Sequence, residues 1–181
     1  ITTPGPQRDK QGKIIQGFKK LKDYKKAMEV MTKSKLVDIM LMSASVGESL
    51  VEKKIFKSSP VTPAIRMNDT SDIWLMRNSN YRSTNPRPFR SARIDRVSKL
   101  VDLGLFSVTF SNNVDFDLAM LNSYRNFRIE SLEYKFSHFL EVFNPPIDVV
   151  IKEEGVGEYV NGGMIRASGG EAKEERRLFF K

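Results

Sequence analysis

At 181 residues, with 40% hydrophobic and 29% charged content, the chain has the composition of one folded domain able to bury a sizeable core. It has no cysteine and a single histidine, His138, which excludes a disulfide framework, a thiolate zinc centre and a histidine-rich metal site. No apolar run reaches membrane-spanning length and no charged-then-apolar leader opens the chain, so a cytoplasmic protein with no membrane partner is expected. The first residue is Ile1 and not Met, as in a chain whose start is processed away or a piece of a longer protein.

The net charge of +8 raises the question of a polyanionic partner. Much of it lies between Arg8 and Lys35. There the lysines alternate with Tyr24, Ala27, Met28 and Met31 at helical spacing, which reads as the solvated face of an amphipathic helix, so nucleic acid is not expected as a partner. A second basic group falls in Arg77 to Arg96. Its Asn85-Pro-Arg-Pro-Phe-Arg90 segment holds two prolines and reads as a loop with exposed arginines, where anion binding competes with plain solubility.

In chain order, residues 1–22 carry Pro4, Gly5, Pro6, Gly12 and Gly17 with little periodicity, and read as an irregular lead-in. Asp23 is placed to cap a helix ending near Ser34. Leu36 to Met42 is almost continuously apolar, as in a strand buried on both faces. Ser45-Val-Gly-Glu48 has the spacing of a capping box, which would occupy both polar side chains. Val61 to Arg66 then reads as a strand that turns abruptly polar. Arg66, Asn68, Asp69 and Asp72 fall at or past its end, where they could meet a ligand or form a structural ion pair.

Residues 75–92 read as a long polar loop. Ile94, Val97 and Val101 mark a helix with Gly104 as its left-handed cap. Phe106 to Asn113 is a strand ending in small polar residues. Asp115 then caps a helix whose Phe116, Met120, Tyr124, Phe127 and Leu132 form a core stripe, and His138 to Asn144 is the next strand. Residues 146–174 are glycine-rich, interrupt any helix and fail the spacing of a dinucleotide fingerprint. Leu178-Phe-Phe-Lys181 looks like the opening of one more strand. Strands alternating with helices predict an α/β fold with a parallel sheet, whose chemistry belongs at the C-terminal ends of its strands.

The run VDLGLFSVTFSNNVDFDLAMLNSYRNFRIESLEYKFSHFLEVFNP resembles the middle strands and helix of the archaeal-type class I, Schiff-base aldolases. LVDIMLMSAS, SPVTPAIRMNDTSDIW and RRLFFK are similar to an aldolase-like group of barrel proteins close to that family. The resemblance covers about residues 23–145 and 175–181. It implies a (β/α)8 TIM barrel, here partial and single-domain over 1–181, with residues 36–44, 61–66, 106–111, 138–143 and 178–181 as its second to sixth strands. Five strands where closure takes eight would leave two open edges, so dependence on a partner or self-association is expected.

By the same resemblance, Lys181 stands at the position of the Schiff-base lysine, and no cofactor is called for. The family's tyrosine acid/base at the end of the fifth strand is matched by Phe143, and a phenyl ring cannot move a proton, which leaves Glu141 as the nearest candidate. The aspartate-histidine pair of the first strand has no counterpart. Ser43, Arg66, Asn68, Asp69, Asn112 and Asn144 are the expected substrate-binding residues, and no metal ligand is expected. The implied activity is an aldehyde-lyase acting on a sugar phosphate or related carbonyl compound, with a homo-oligomer expected. The alternative is a non-catalytic partial barrel that binds a partner chain or a polyanion.

Overall fold

The computed structural model of the chain describes residues 6–18, 20–68, 85–143 and 155–167. An N-terminal hairpin, β1 (Pro6–Arg8) and β2 (Ile14–Phe18), is antiparallel and closes over a turn in which Gly12 adopts φ +84°. After it come α1 (Leu21–Ser34), β3 (Ile39–Met42), α2 (Ala44–Glu52), β4 (Thr62–Arg66), α3 (Ile94–Val97), β5 (Leu103–Thr109), α4 (Val114–Glu133), β6 (Ser137–Phe143) and α5 (Val156–Ala167). The strands β3, β4, β5 and β6 form a second sheet in chain order, and every pair in it is parallel. The chain is therefore a mixed α/β protein. The expected parallel, consecutive strand order is borne out for four strands, while the strand expected at 178–181, with Lys181, lies outside the described residues.

Side-chain alternation sorts this sheet into two faces. Phe106 packs against Tyr124 and Phe127 of α4, with ring centroids 5.1 and 4.7 Å away, so Phe106, Val108 and Phe110 point toward the helices. Each of these rings is almost fully buried, a contribution of about 1.5–3 kcal/mol apiece. Leu105, Ser107 and Thr109 project from the opposite face. By register, so do Arg66 beside Leu105, Phe139 beside Leu105 and Glu141 beside Ser107.

Local chemistry departs from the sequence reading at several points. Residues 6–18 form the hairpin where an irregular lead-in was expected, because the Asp9 carboxylate accepts from the backbone N–H groups of Gln11 and Lys13 and closes the turn. Asp23 is not the N-cap of α1. Lys20 takes that position, and Asp23 in the first turn reaches back to accept from its N–H. Likewise α2 starts one residue before Ser45, with Ser43 as N-cap, so Ser45 and Glu48 are exposed helix residues and form no capping box. Asn113, not Asp115, caps α4, its side chain accepting from the N–H of Phe116.

Gly104 is a strand residue rather than a helix cap. A Cβ there would stand 2.6 Å from the Phe136 ring and 2.8 Å from Met67 Cγ, so the absent side chain is what lets β5 approach its neighbours. Leu132 is exposed, and Ser131 takes the buried position in α4. Residues 156–167 are helical in spite of their glycines.

Candidate functional site

On the face opposite α4, three side chains from three adjacent strands converge near the C-terminal end of the sheet. Arg66, the last residue of β4, donates from Nη1 to Ser107 Oγ at 2.9 Å and from Nη2 to Glu141 Oε2 at 3.4 Å. Ser107 Oγ in turn donates to the same Glu141 oxygen at 2.8 Å. The serine hydroxyl thus relays between a guanidinium and a carboxylate. Arg66 is the more enclosed partner, with 16% of its side chain exposed against 37% for Glu141. Its Nε is buried with no hydrogen-bond partner among the described residues.

Asn68, one residue beyond Met67, underpins this arrangement. It is fully buried; its Oδ1 accepts from the Ser107 N–H and its Nδ2 donates to the Ser107 carbonyl, both at 2.7 Å. A side-chain amide thereby continues the β4–β5 ladder past the end of β4. Tyr24 of α1 is buried within reach of the Arg66 charge. Burial pushes its hydroxyl pKa up, and the guanidinium opposes the rise.

A second cluster organises the loop after β5. Asp117 Oδ1 accepts from the N–H and hydroxyl of Ser111, at 2.7 and 3.2 Å, while its Oδ2 accepts from the Tyr159 hydroxyl at 2.6 Å. Tyr159, on α5, accepts in turn from the N–H of Asn112, which sits in the left-handed region at φ 55°. The strand end is therefore held from two helices.

Of the residues expected at a site, Arg66 and Glu141 are brought into contact and Asn68 lies beside them. Ser43 follows β3 directly and Asn112 lies three residues beyond β5, and among the described residues no hydrogen bond joins either to the Arg66 cluster. Asp69, Asn144 and Lys181 lie outside the described residues. The loop arginines have structural partners: Arg90 pairs with Glu130 and Arg87 lies 4.2 Å over the Phe116 ring.

Ser107, Asp117 and Tyr159 were not singled out from sequence. For Ser107 a signal was present. Small polar residues at alternate positions of Phe106-Ser-Val-Thr-Phe110 mark the face of a buried strand opposite α4. Among the described residues no group of three or more His, Asp or Glu side chains is placed to hold a metal ion, and no helix is long and apolar enough to cross a membrane.

No protein-family model matches this chain, and comparisons with curated proteins and with solved structures find no match.

Proposed function

We propose that the chain acts on a small carbonyl compound, such as a sugar phosphate, as a lyase of the class I aldolase type with Lys181 as its nucleophile. The observation that carries this reading is the Arg66–Ser107–Glu141 relay on the face of a parallel sheet opposite α4, near the C-terminal ends of its strands. Barrel enzymes place their chemistry at that end. The buried Nε of Arg66, without a partner among the described residues, adds a donor that a polar ligand could satisfy.

In this reading the Lys181 amine adds to the substrate carbonyl and loses water to give an iminium. A base then removes the proton of the hydroxyl two carbons from the iminium carbon. The bond between that hydroxyl-bearing carbon and the carbon next to the iminium breaks, its electron pair passes into the iminium to form an enamine, and an aldehyde leaves. Protonation of the enamine and hydrolysis of the imine restore the lysine. Glu141 is the base, held at one oxygen by Ser107 and Arg66.

Borohydride reduction in the presence of ketose phosphates tests the proposal. A stable adduct on Lys181, lost in Lys181→Ala and formed without turnover in Glu141→Gln, is the expected result. Absence of any adduct across a panel of ketoses and aldehydes refutes the lyase.

A second reading is favoured by one observation: both polar atoms of Asn68 pair with the Ser107 backbone, and Glu141 Oε2 pairs with Ser107 and Arg66. Polar groups that satisfy one another serve architecture, and the chain is then a non-catalytic module that binds a partner chain or a polyanion. Ligand-induced stabilisation without trapping separates this reading from the first.

A further inference from the structure

The sequence reading assigns the lysines near the N-terminus to a solvated face whose apolar residues are buried. The structure divides α1 differently. Tyr24 and Thr32 are its buried positions, with Met28 half-buried between them, while Leu21, Val30 and Met31 are 54%, 60% and 44% exposed. Val30 and Met31 line a groove of about 550 Å³ together with Ala27, Leu36 and the flanking Asp23 and Lys26. The helix therefore carries a second apolar stripe, exposed and bordered by charge.

The hairpin before it repeats the pattern. Every residue of β2 is exposed, including Ile14 at 57%, Ile15 at 43% and Phe18 at 76%. An isolated two-stranded hairpin has little stability of its own. The same segment concentrates the charge. Residues 8–35 hold ten cations against three acids, seven of the chain's eight net positive charges. Nine of the ten cations are lysines and one is Arg8.

We propose that the β1–β2 hairpin and the outer stripe of α1 form a docking surface for an anionic phospholipid bilayer, on which the protein rests peripherally. Charge complementarity selects an anionic partner, and the composition selects lipid among anions. Exposed aliphatic side chains and Phe18, interleaved with lysines, match a surface that enters the headgroup boundary while its ammonium groups meet lipid phosphates. A nucleic-acid surface would draw on arginine forks and stacking rings, and this segment has one arginine and one exposed aromatic ring, Phe18. Each lysine brought near such a membrane strengthens binding roughly fivefold. The surface is independent of the Arg66 cluster and of any lyase activity.

The test is vesicle co-sedimentation of the full chain. Vesicles with about 30% phosphatidylserine should pellet the protein, and neutral phosphatidylcholine vesicles should not. The triple variant Phe18→Ser, Leu21→Ser, Val30→Ser should lose about tenfold or more in affinity, since each exposed apolar side chain contributes through its buried area. Its circular dichroism and melting should be unchanged, because all three positions are exposed. Lys20→Glu with Lys22→Glu should weaken binding to the anionic vesicles by more than about tenfold, at roughly fivefold per lysine lost. The proposal is overturned by equal pelleting with neutral vesicles or by a triple variant that binds as tightly as its parent. Retention on single-stranded RNA with no vesicle binding at all also overturns it.

Discussion

The side-chain amide of Asn68 hydrogen-bonds both the N–H and the carbonyl of Ser107, each at 2.7 Å, in a buried setting 39 residues away in sequence. A side chain here does what the next ladder residue of β4 would do. It also holds the serine whose hydroxyl joins Arg66 to Glu141.

Asn68→Ala should therefore leave two buried backbone groups unpaired and cost about 2–6 kcal/mol, at roughly 1–3 kcal/mol per unsatisfied group. Asn68→Asp keeps the acceptor for Ser107 N–H but sets a carboxylate oxygen against the Ser107 carbonyl, and should cost at least as much. Urea denaturation with an unchanged m-value checks both.

Gly104→Ala should destabilise the protein by about 1–3 kcal/mol, because the new methyl group meets Phe136 and Met67 in a packed layer. Pairing it with Phe136→Leu should restore part of the loss. If alanine is tolerated without cost, close approach is not the reason for glycine at this position.

Lys135→Gly should stabilise the chain by about 0.5–1 kcal/mol. Lys135 sits at φ 52° just beyond α4, in a turn where the Phe136 N–H reaches the Ser131 carbonyl and the Lys135 N–H reaches that of Leu132. That pairing is a Schellman motif, and a left-handed residue in it is unstrained only as glycine or, to a lesser degree, asparagine. Thermal melts of the two proteins at equal concentration decide the point.

His138 is the chain's only histidine and packs edge-on against Phe127 and Tyr124, with Nε2 3.2 Å from the Tyr124 hydroxyl. Burial, aided by the Arg128 charge, lowers its pKa below the ordinary 6.5. The unfolded chain thus binds a proton before the folded one does. The stability this group contributes is complete above the unfolded value and is lost as the pH falls below it toward the folded value. Denaturation midpoints should drop as the pH falls below the ordinary histidine value of 6.5, and His138→Phe should flatten that part of the profile. At the other extreme, burial raises the Tyr124 pKa to about 12, so its contribution is lost as the pH climbs from the ordinary 10.0 toward that value.

The alternation of strand and helix, and the placing of Arg66 at the end of β4, were legible in the sequence, whereas Glu141 lies within β6, two residues before its end. They follow from interactions within a few residues: apolar periodicity, turn formers and polar residues that cannot stay in a buried ladder. Helix starts were less legible, since Lys20 and Ser43 became N-caps through backbone conformation and Asn113 through its side chain, while nearby Asp23, Ser45 and Asp115 matched the usual pattern equally well.

What only the tertiary structure decided depends on register between segments far apart in the chain. Arg66 meets Ser107 across 41 residues and Glu141 across 75, and no local rule states which strand positions face one another. The same holds for the N-terminal helix. Its sequence carries apolar residues on more than one side, and packing against the rest of the fold covers one stripe and leaves the other to solvent. Periodicity reveals that a helix has apolar stripes, but a stripe is buried only where another element arrives to cover it.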